Sequence, residues 1–246
     1  MDENRQEAAG SIEEAVVETY ESLAGLIDYM MLRPDLTADD LAEGCRIARE
    51  YAVRAIVVRP CDVETAVRWM AGSGVAVGGA VSYPYGYSTT GAKLFEGRDL
   101  LRLGATELDF TLNASTMISR QFQHVETELL QIVRSCHESG AIAKIVYNSR
   151  YLADDLKIIA TKIAKRVEAD MISIDYREQD VTLLKPILKD VLQLKCAGPV
   201  DTLADALMMR SHGFVRIGCA NPTGLLDDWK KHLAEQAAKL TNPVQA

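Results

Sequence analysis

Ala169-Asp170-Met171-Ile172-Ser173-Ile174-Asp175-Tyr176 is an apolar run that turns polar at its C-terminal end. A parallel strand covered on both faces reads as continuous apolar residues rather than as alternation. Polar side chains gathered at the end of such a strand suit the mouth of a barrel, where these folds carry their sites. The stretch therefore predicts a strand over 171–176. Working outward, similar runs occupy 26–32, 55–58, 76–83, 107–113, 142–147, 192–196 and 215–219. Helical spacing follows each one, behind a cap at Thr37 and over 63–70, 90–103, 120–139, 154–167, 183–191, 203–211 and 225–240. Ser11-Ile12-Glu13-Glu14 has the form of a capping box and predicts a leading helix to about residue 24. Eight strand-then-helix units predict a closed (β/α)8 TIM barrel with one extra N-terminal helix, whereas a doubly wound open sheet has fewer units.

No Pro/Gly/Ser-rich linker or block of charge divides the chain, so residues 1–246 are expected to form one domain, with 1–25 as the leading segment and 241–246 as a frayed tail. The formal net charge of −8 gives no basic footprint, which argues against nucleic acid or an anionic membrane surface as partner. No apolar run reaches the ~18 residues of a membrane span, and residues 1–10 lack the apolar core of a signal peptide. Cytoplasm is the expected location. Cys45, Cys61, Cys136, Cys196 and Cys219 show no paired spacing, and His124, His137, His212 and His232 fall in helical stretches, so no cofactor and no histidine-based metal centre are expected, which leaves carboxylates such as Asp109 and Asp175 as the alternative holders of a divalent cation.

Residues at the strand ends carry a resemblance. Ile27-Asp28 followed by Leu32-Arg33-Pro34-Asp35 and Thr37, then Tyr83-Pro84-Tyr85-Gly86 with Thr89-Thr90, Lys93, Phe95 and Glu96, then Glu107-Leu108-Asp109, Lys144 and Lys195, resemble the deoxyribose-phosphate aldolase family in order and spacing. The resemblance implies a reversible aldol addition of acetaldehyde to glyceraldehyde 3-phosphate. It implies a Schiff-base lysine on strand six, a second lysine on strand seven that lowers its pKa, and a strand-four aspartate that moves protons. By position the last two are Lys195 and Asp109, and Lys144 matches a strand-five lysine. The nucleophile's position holds Ser173, in a class I aldolase barrel without its strand-six lysine. The family's phosphate-binding glycines correspond to Ala197-Gly198-Pro199 and Gly218-Cys219-Ala220-Asn221-Pro222, where each proline removes an N–H donor.

On their own chemistry, Lys144 and Lys195 sit in apolar strands, where an inward-facing charge must be paired or functional. Asp109 and Asp175 are the candidate partners, and the alternative is a buried lysine–aspartate network that only holds the barrel mouth together. Asp28, mid-strand, is a pocket residue or a structural acceptor. Asp175 offers a second carboxylate for acid/base work or pairs with Arg177 or Lys195. Arg33, Arg59, Arg150 and Arg177 each follow a strand and suit an anionic group. Tyr83, Tyr85, Tyr87, Tyr147 and Tyr176 suggest a roomy, amphipathic pocket. The expected catalytic residues are thus Asp109, Lys195 and Lys144, and the expected substrate-binding residues Asp28, Ser173, Asp175, Tyr147, Gly198, Gly218 and Arg177. The expected function is an aldolase-like lyase acting beside the carbonyl of a small-molecule or sugar-derived substrate, through Lys195 or Lys144 as amine or through proton abstraction without a Schiff base. The alternative is a retired barrel that binds a small molecule or a partner. A homodimer is expected by analogy only.

Overall fold

A computed structural model describes residues 18–188 and 191–241. The expected capping box at Ser11 and most of the leading helix lie outside the described residues, as does all but the first residue of the expected tail; a single turn, α1 (Glu21–Ala24), enters the fold. Eight parallel strands then alternate with helices. The order is β1 (Ile27–Met31), α2 (Ala38–Glu50), β2 (Ala55–Val58), α3 (Val63–Met70), β3 (Ala76–Val81), α4 (Thr90–Arg102), β4 (Glu107–Thr111), α5 (Ala114–Ile118) and α6 (Phe122–Glu138). It continues with β5 (Ile142–Val146), α7 (Asp154–Arg166), β6 (Met171–Ile174), α8 (Glu178–Leu188), β7 (Gln193–Cys196), α9 (Leu203–Ser211), β8 (Arg216–Cys219) and α10 (Pro222–Thr241). The strands pair in sequence order and β8 pairs with β1, closing the (β/α)8 barrel.

Local chemistry explains the boundaries. Thr37 caps α2 through a reciprocal box with Asp40, the Thr37 N–H donating to Asp40 Oδ2 at 2.7 Å. Asn113 accepts from the backbone N–H groups of Ser115 and Thr116 and so starts α5, an element the sequence reading leaves in a loop. Helix α8 begins at Glu178, five residues before the expected start at 183, because its first turn hides its inward face behind polar residues: Glu178 and Gln179 are exposed, while Asp180 is buried and accepts from Lys157 Nζ at 2.6 Å. Trp229 of α10 is buried, and its Nε1 donates to the carbonyls of Thr19 and Tyr20, tying the last helix across the entry to the first strand.

The aliphatic core lies between the sheet and its helices. Ile56 and Val58 of β2, Leu108 and Phe110 of β4, Ile145 of β5, Ile172 and Ile174 of β6 and Leu194 of β7 belong to it. Residues alternating with these point into the lumen. In sheet register Ala55 lies beside Asp28, Gly78 beside Glu107 and Ala80 beside Asp109. Small residues on β2 and β3 thus leave the width of the lumen to long charged side chains from the opposite wall.

Candidate active site

Six charged residues fill the middle of the lumen: Asp28 (β1), Glu107 and Asp109 (β4), Lys144 (β5), Lys195 (β7) and Arg216 (β8), all buried. Three are acidic and three basic, so the group is formally neutral. Lys144 Nζ donates to Asp28 Oδ2 at 2.9 Å, pairs closely with Glu107, and lies 3.4 Å from Asp109 Oδ1. Lys195 Nζ lies 2.5 Å from Asp109 Oδ2 and 2.8 Å from Asp28 Oδ2. The Arg216 guanidinium spans two walls, with Nε 2.6 Å from Asp28 Oδ1 and Nη1 and Nη2 3.0 and 2.7 Å from the two Glu107 oxygens. Asp28 and Lys144 stand on opposite walls, so contacts of this kind form only inside a closed barrel.

The mutual field sets the ionisation. Burial works against the Asp28 carboxylate, but Lys144, Lys195 and Arg216 outweigh it and hold the group far below the ordinary carboxylate range. Asp109 is lowered in the same way: burial opposes its charge, and Lys144 and Lys195 more than compensate. For Lys144 burial disfavours the cation, yet Asp109, Asp28 and Glu107 raise its pKa above the usual lysine value. Lys144 is therefore an ammonium at neutral pH. A nucleophilic amine must be neutral, so its chemistry here is that of a counter-ion.

Directly above this floor opens a cavity of about 160 Å³, bordered by Asp109, Thr111, Val146, Ser173, Asp175 and Gly198 among others. Of the six charged residues only Asp109 lines it. Four oxygens in its wall, Asp109 Oδ1, Thr111 Oγ1, Ser173 Oγ and Asp175 Oδ2, are buried and have no hydrogen-bond partner among the described residues. Asp175 Oδ2 has one cation near it, Arg150 Nε, at 3.6 Å, beyond hydrogen-bond length. Buried polar atoms are nearly always satisfied. Four such atoms belong to residues that border this one small cavity, and two others, Ser149 Oγ and Asp180 Oδ2, belong to residues that do not.

The cavity joins a larger cleft of about 870 Å³ over β1 to β3 and the β7 and β8 loops, bordered by Met30, Arg59, Ser82, Tyr83, Tyr85 and Pro199 among others. Tyr83 lines both spaces. Its phenol is raised above the usual value, by burial first and then by Tyr85 and Asp175. Tyr85 and Tyr87 stack with ring centroids 5.1 Å apart.

The structure divides the expected site residues into layers. Asp109, Ser173 and Asp175 meet in the cavity wall. Lys144, Lys195 and Asp28 form the floor and do not border the open space. Tyr147 borders the cavity but turns its hydroxyl outward to Thr161 of α7, at 3.3 Å. Arg177 is exposed at the start of α8 and borders none of these spaces. Arg33 and Arg59 are engaged by the carboxylates of Asp35 and Asp62. Asp175 pairs with Arg150 rather than with Arg177 or Lys195.

Gly198 adopts φ +81°, and a Cβ there would lie 2.1 Å from the Gly218 carbonyl oxygen. These two glycines let the β7 and β8 ends pack backbone on backbone. The nearby N–H groups of Ala220 and Asn221, ahead of α10, donate to Asp201 Oδ1 at 2.7 and 2.9 Å. A carboxylate of the chain itself thus takes the donors that an incoming anion would use.

Glu107, Thr111, Arg216 and Asp201 are functional neighbours that the sequence reading did not select. Glu107 and Thr111 stand two residues either side of Asp109 and so share its face of β4. Arg216 lies between Val215 and Ile217 in an apolar strand, which is itself the signal of an inward, paired charge. Among the described residues no three His, Cys, Asp or Glu side chains converge to hold a metal ion, and no described helix is long and apolar enough to cross a membrane.

A closed (β/α)8 barrel with acid and hydroxyl groups around a cavity above a charged floor has the architecture in which barrel enzymes carry their sites. The relatives narrow it. The chain is 33% identical over 218 residues to the deoxyribose-phosphate aldolase of Bacteroides thetaiotaomicron, covering 86% of this chain and 92% of that protein. It is 29% identical over 222 residues to that of Caldanaerobacter subterraneus, covering 87% and 96%. Among solved structures, "QR15, an Aldolase" matches with a TM-score of 0.80 at 26% identity, over 86% of this chain and 98% of that one. The tetrameric deoxyribose phosphate aldolase of Aeropyrum pernix shares the fold with a TM-score of 0.79 at 24% identity, over 87% and 93%. No protein-family model matches the chain. The chain belongs to the deoxyribose-phosphate aldolase family.

Proposed function

We propose that this chain is an aldolase-type lyase that makes or breaks a C–C bond beside a carbonyl, without a Schiff base on strand six. The observation that carries the reading is the four-oxygen wall of the small cavity, in which Asp109 is the one charged group shared with the lysine floor. The reaction needs a proton acceptor beside the carbon that becomes nucleophilic and donors at the carbonyl oxygen. Asp109, held ionised by its lysines, supplies the first. The Ser173 and Thr111 hydroxyls supply the second, Ser173 holding the carbonyl oxygen where a lysine would bind the carbonyl carbon.

In the synthetic direction Asp109 takes a proton from the donor's α-carbon, and the resulting enolate oxygen is held by the two hydroxyls. The α-carbon then bonds to the carbonyl carbon of an acceptor aldehyde in the larger cleft, and the new alkoxide regains a proton from Asp109. Lys195, 2.5 Å from Asp109, steadies the carboxylate through both transfers. Lys195 is a positioning residue in this scheme, and Lys144 and Asp28 support it from below.

The phosphate seat is altered in the same proposal. Asp201 occupies the N–H groups ahead of α10, and Pro199 has none to give. Deoxyribose 5-phosphate is then a poor substrate, and unphosphorylated carbonyl compounds are favoured. A homodimer is part of the reading, and light scattering after gel filtration separates it from the tetramer described for the Aeropyrum pernix protein.

The test is deuterium exchange at the α-carbon of small aldehydes and ketones in D2O, followed by NMR, with parallel borohydride trapping read by intact mass. Exchange that is lost in Asp109→Asn, with no adduct on any lysine, is the expected result. A specific adduct on Lys195 would replace the non-covalent scheme with amine catalysis from strand seven. Neither exchange nor adduct with any compound would remove the lyase reading.

A further inference from the structure

Resting on that reading, we infer that the donor is a neutral two- or three-carbon hydroxycarbonyl compound, of the glycolaldehyde or hydroxyacetone kind, whose hydroxyl is recognised by Asp175. The size comes from the cavity. At ~30 Å³ per water-sized group, about 160 Å³ holds roughly five non-hydrogen atoms, the size of hydroxyacetone, and anything longer extends into the larger cleft where the acceptor lies. The polarity comes from the wall. On the proposed reading the Ser173 and Thr111 hydroxyls serve the carbonyl oxygen and Asp109 serves the α-carbon. That leaves Asp175 Oδ2, a carboxylate oxygen that only accepts when ionised and has no hydrogen-bond donor among the described residues.

A simple aldehyde or ketone satisfies three of these atoms and leaves Asp175 Oδ2, on a side chain that is a quarter exposed, without a donor. A hydroxyl on the donor satisfies all four. The charge of the ligand follows as well. Two carboxylates share the cavity wall, and the cation nearest Asp175 is Arg150 at 3.6 Å. A phosphorylated or carboxylated donor would bring a like charge against Asp175, so the donor is uncharged.

The experiment compares matched pairs on the full chain: acetone with hydroxyacetone, and acetaldehyde with glycolaldehyde. Binding is read by ligand-observed NMR and reaction by α-carbon exchange in D2O, for the natural chain and for Asp175→Asn. The expected result is that each hydroxylated compound binds about tenfold or more tightly than its partner, as a hydrogen bond to a charged group implies. Asp175→Asn should reduce that ratio several-fold, mainly through the KM of the hydroxylated compounds. Equal binding within each pair, a ratio that survives Asp175→Asn, or no binding of any compound would each overturn the inference. Because binding is read apart from exchange, hydroxyl preference without exchange would sink the proposed reaction and leave the recognition standing. Exchange without preference would do the reverse.

Discussion

Two groups of polar residues in the same lumen, a charged floor and the wall of the cavity above it, differ in how their polar atoms are treated. In the lower layer Asp28, Glu107, Lys144, Lys195 and Arg216 all lie within ion-pair distance of opposite charges and are sealed from solvent. In the upper layer Thr111 and Ser173 present buried hydroxyls without hydrogen-bond partners among the described residues, and Asp109 and Asp175 each keep one such oxygen. Folding alone accounts for the first arrangement, since buried charges must be compensated. It gives no reason for the second, since buried polar atoms without partners cost stability. The lower layer is complete in itself, and on the proposed reading substrate completes the upper one. Asp109 belongs to both: Oδ2 lies against Lys195, Oδ1 lies 3.4 Å from Lys144 without a hydrogen bond, and the residue borders the cavity.

Substitutions that respect or violate this division should behave in opposite ways. The largest effect is expected at the shared residue: Asp109→Asn should reduce turnover by about 10²–10⁴, measured as α-carbon exchange, and a loss below threefold would deny Asp109 the proton-transfer role. Next comes the lower layer. Asp28→Ala leaves Lys144, Lys195 and Arg216 short of a common counter-ion and should cost about 3–5 kcal/mol in urea unfolding. A cost under about 1 kcal/mol would mean that the cluster readily rearranges or hydrates.

The pH dependence follows from the same charges. The Asp28 and Asp109 pKa values are lowered in the folded protein, so their stabilisation is present above the unfolded carboxylate value of ~3.9 and is lost as pH falls below it. The Lys144 value is raised, so its stabilisation is present below ~10.4 and is lost as pH rises beyond it. The cluster's contribution should therefore be flat from about pH 5 to 9 in a series of urea midpoints. A marked loss between pH 5 and 7 would contradict the assignment of charges.

The smallest stability effect belongs to the upper layer. Thr111→Val removes an unpartnered hydroxyl while keeping the shape, and the Thr111 carbonyl still accepts from Lys93 Nζ at 3.2 Å. Stability should change by less than about 1 kcal/mol, while exchange activity falls. Equal loss of both would show that the hydroxyl serves the fold.

Much of the barrel is legible in the sequence because parallel strands announce themselves as apolar runs. The expected 55–58 strand and the 63–70 and 203–211 helices coincide with β2, α3 and α9. The strands expected at 76–83 and 171–176 run past the sheet, because Tyr83 and Tyr176 have the composition of strands but lie beyond the last ladder residues, Val81 and Ile174. In the site, Asp109 and Ser173 are reached through the family resemblance and Asp175 through its place after the last residue of β6, and all three border the cavity. The partners of Lys144 and Lys195 were only half recognisable. Glu107 and Arg216 belong to the same network, but their contacts cross the lumen, and which side chains meet there depends on the tilt and stagger of the closed barrel. No local pattern records that Asp28 reaches Lys144 across 116 positions of sequence.

The salt link between Asp28 and Arg216 joins the first strand to the last, 188 positions apart. A loop of that length closes late, after the local strand–helix units have formed. The central charges then stay hydrated through most of folding and pair only as the β1–β8 seam shuts. Interactions absent from the transition state slow unfolding and leave folding unchanged. Arg216→Met should accordingly raise the unfolding rate in stopped-flow measurements with little effect on refolding, and an equal slowing of refolding would place seam closure early. On this view the charges at the heart of the barrel set how long the protein stays folded, and have little say in how fast it gets there.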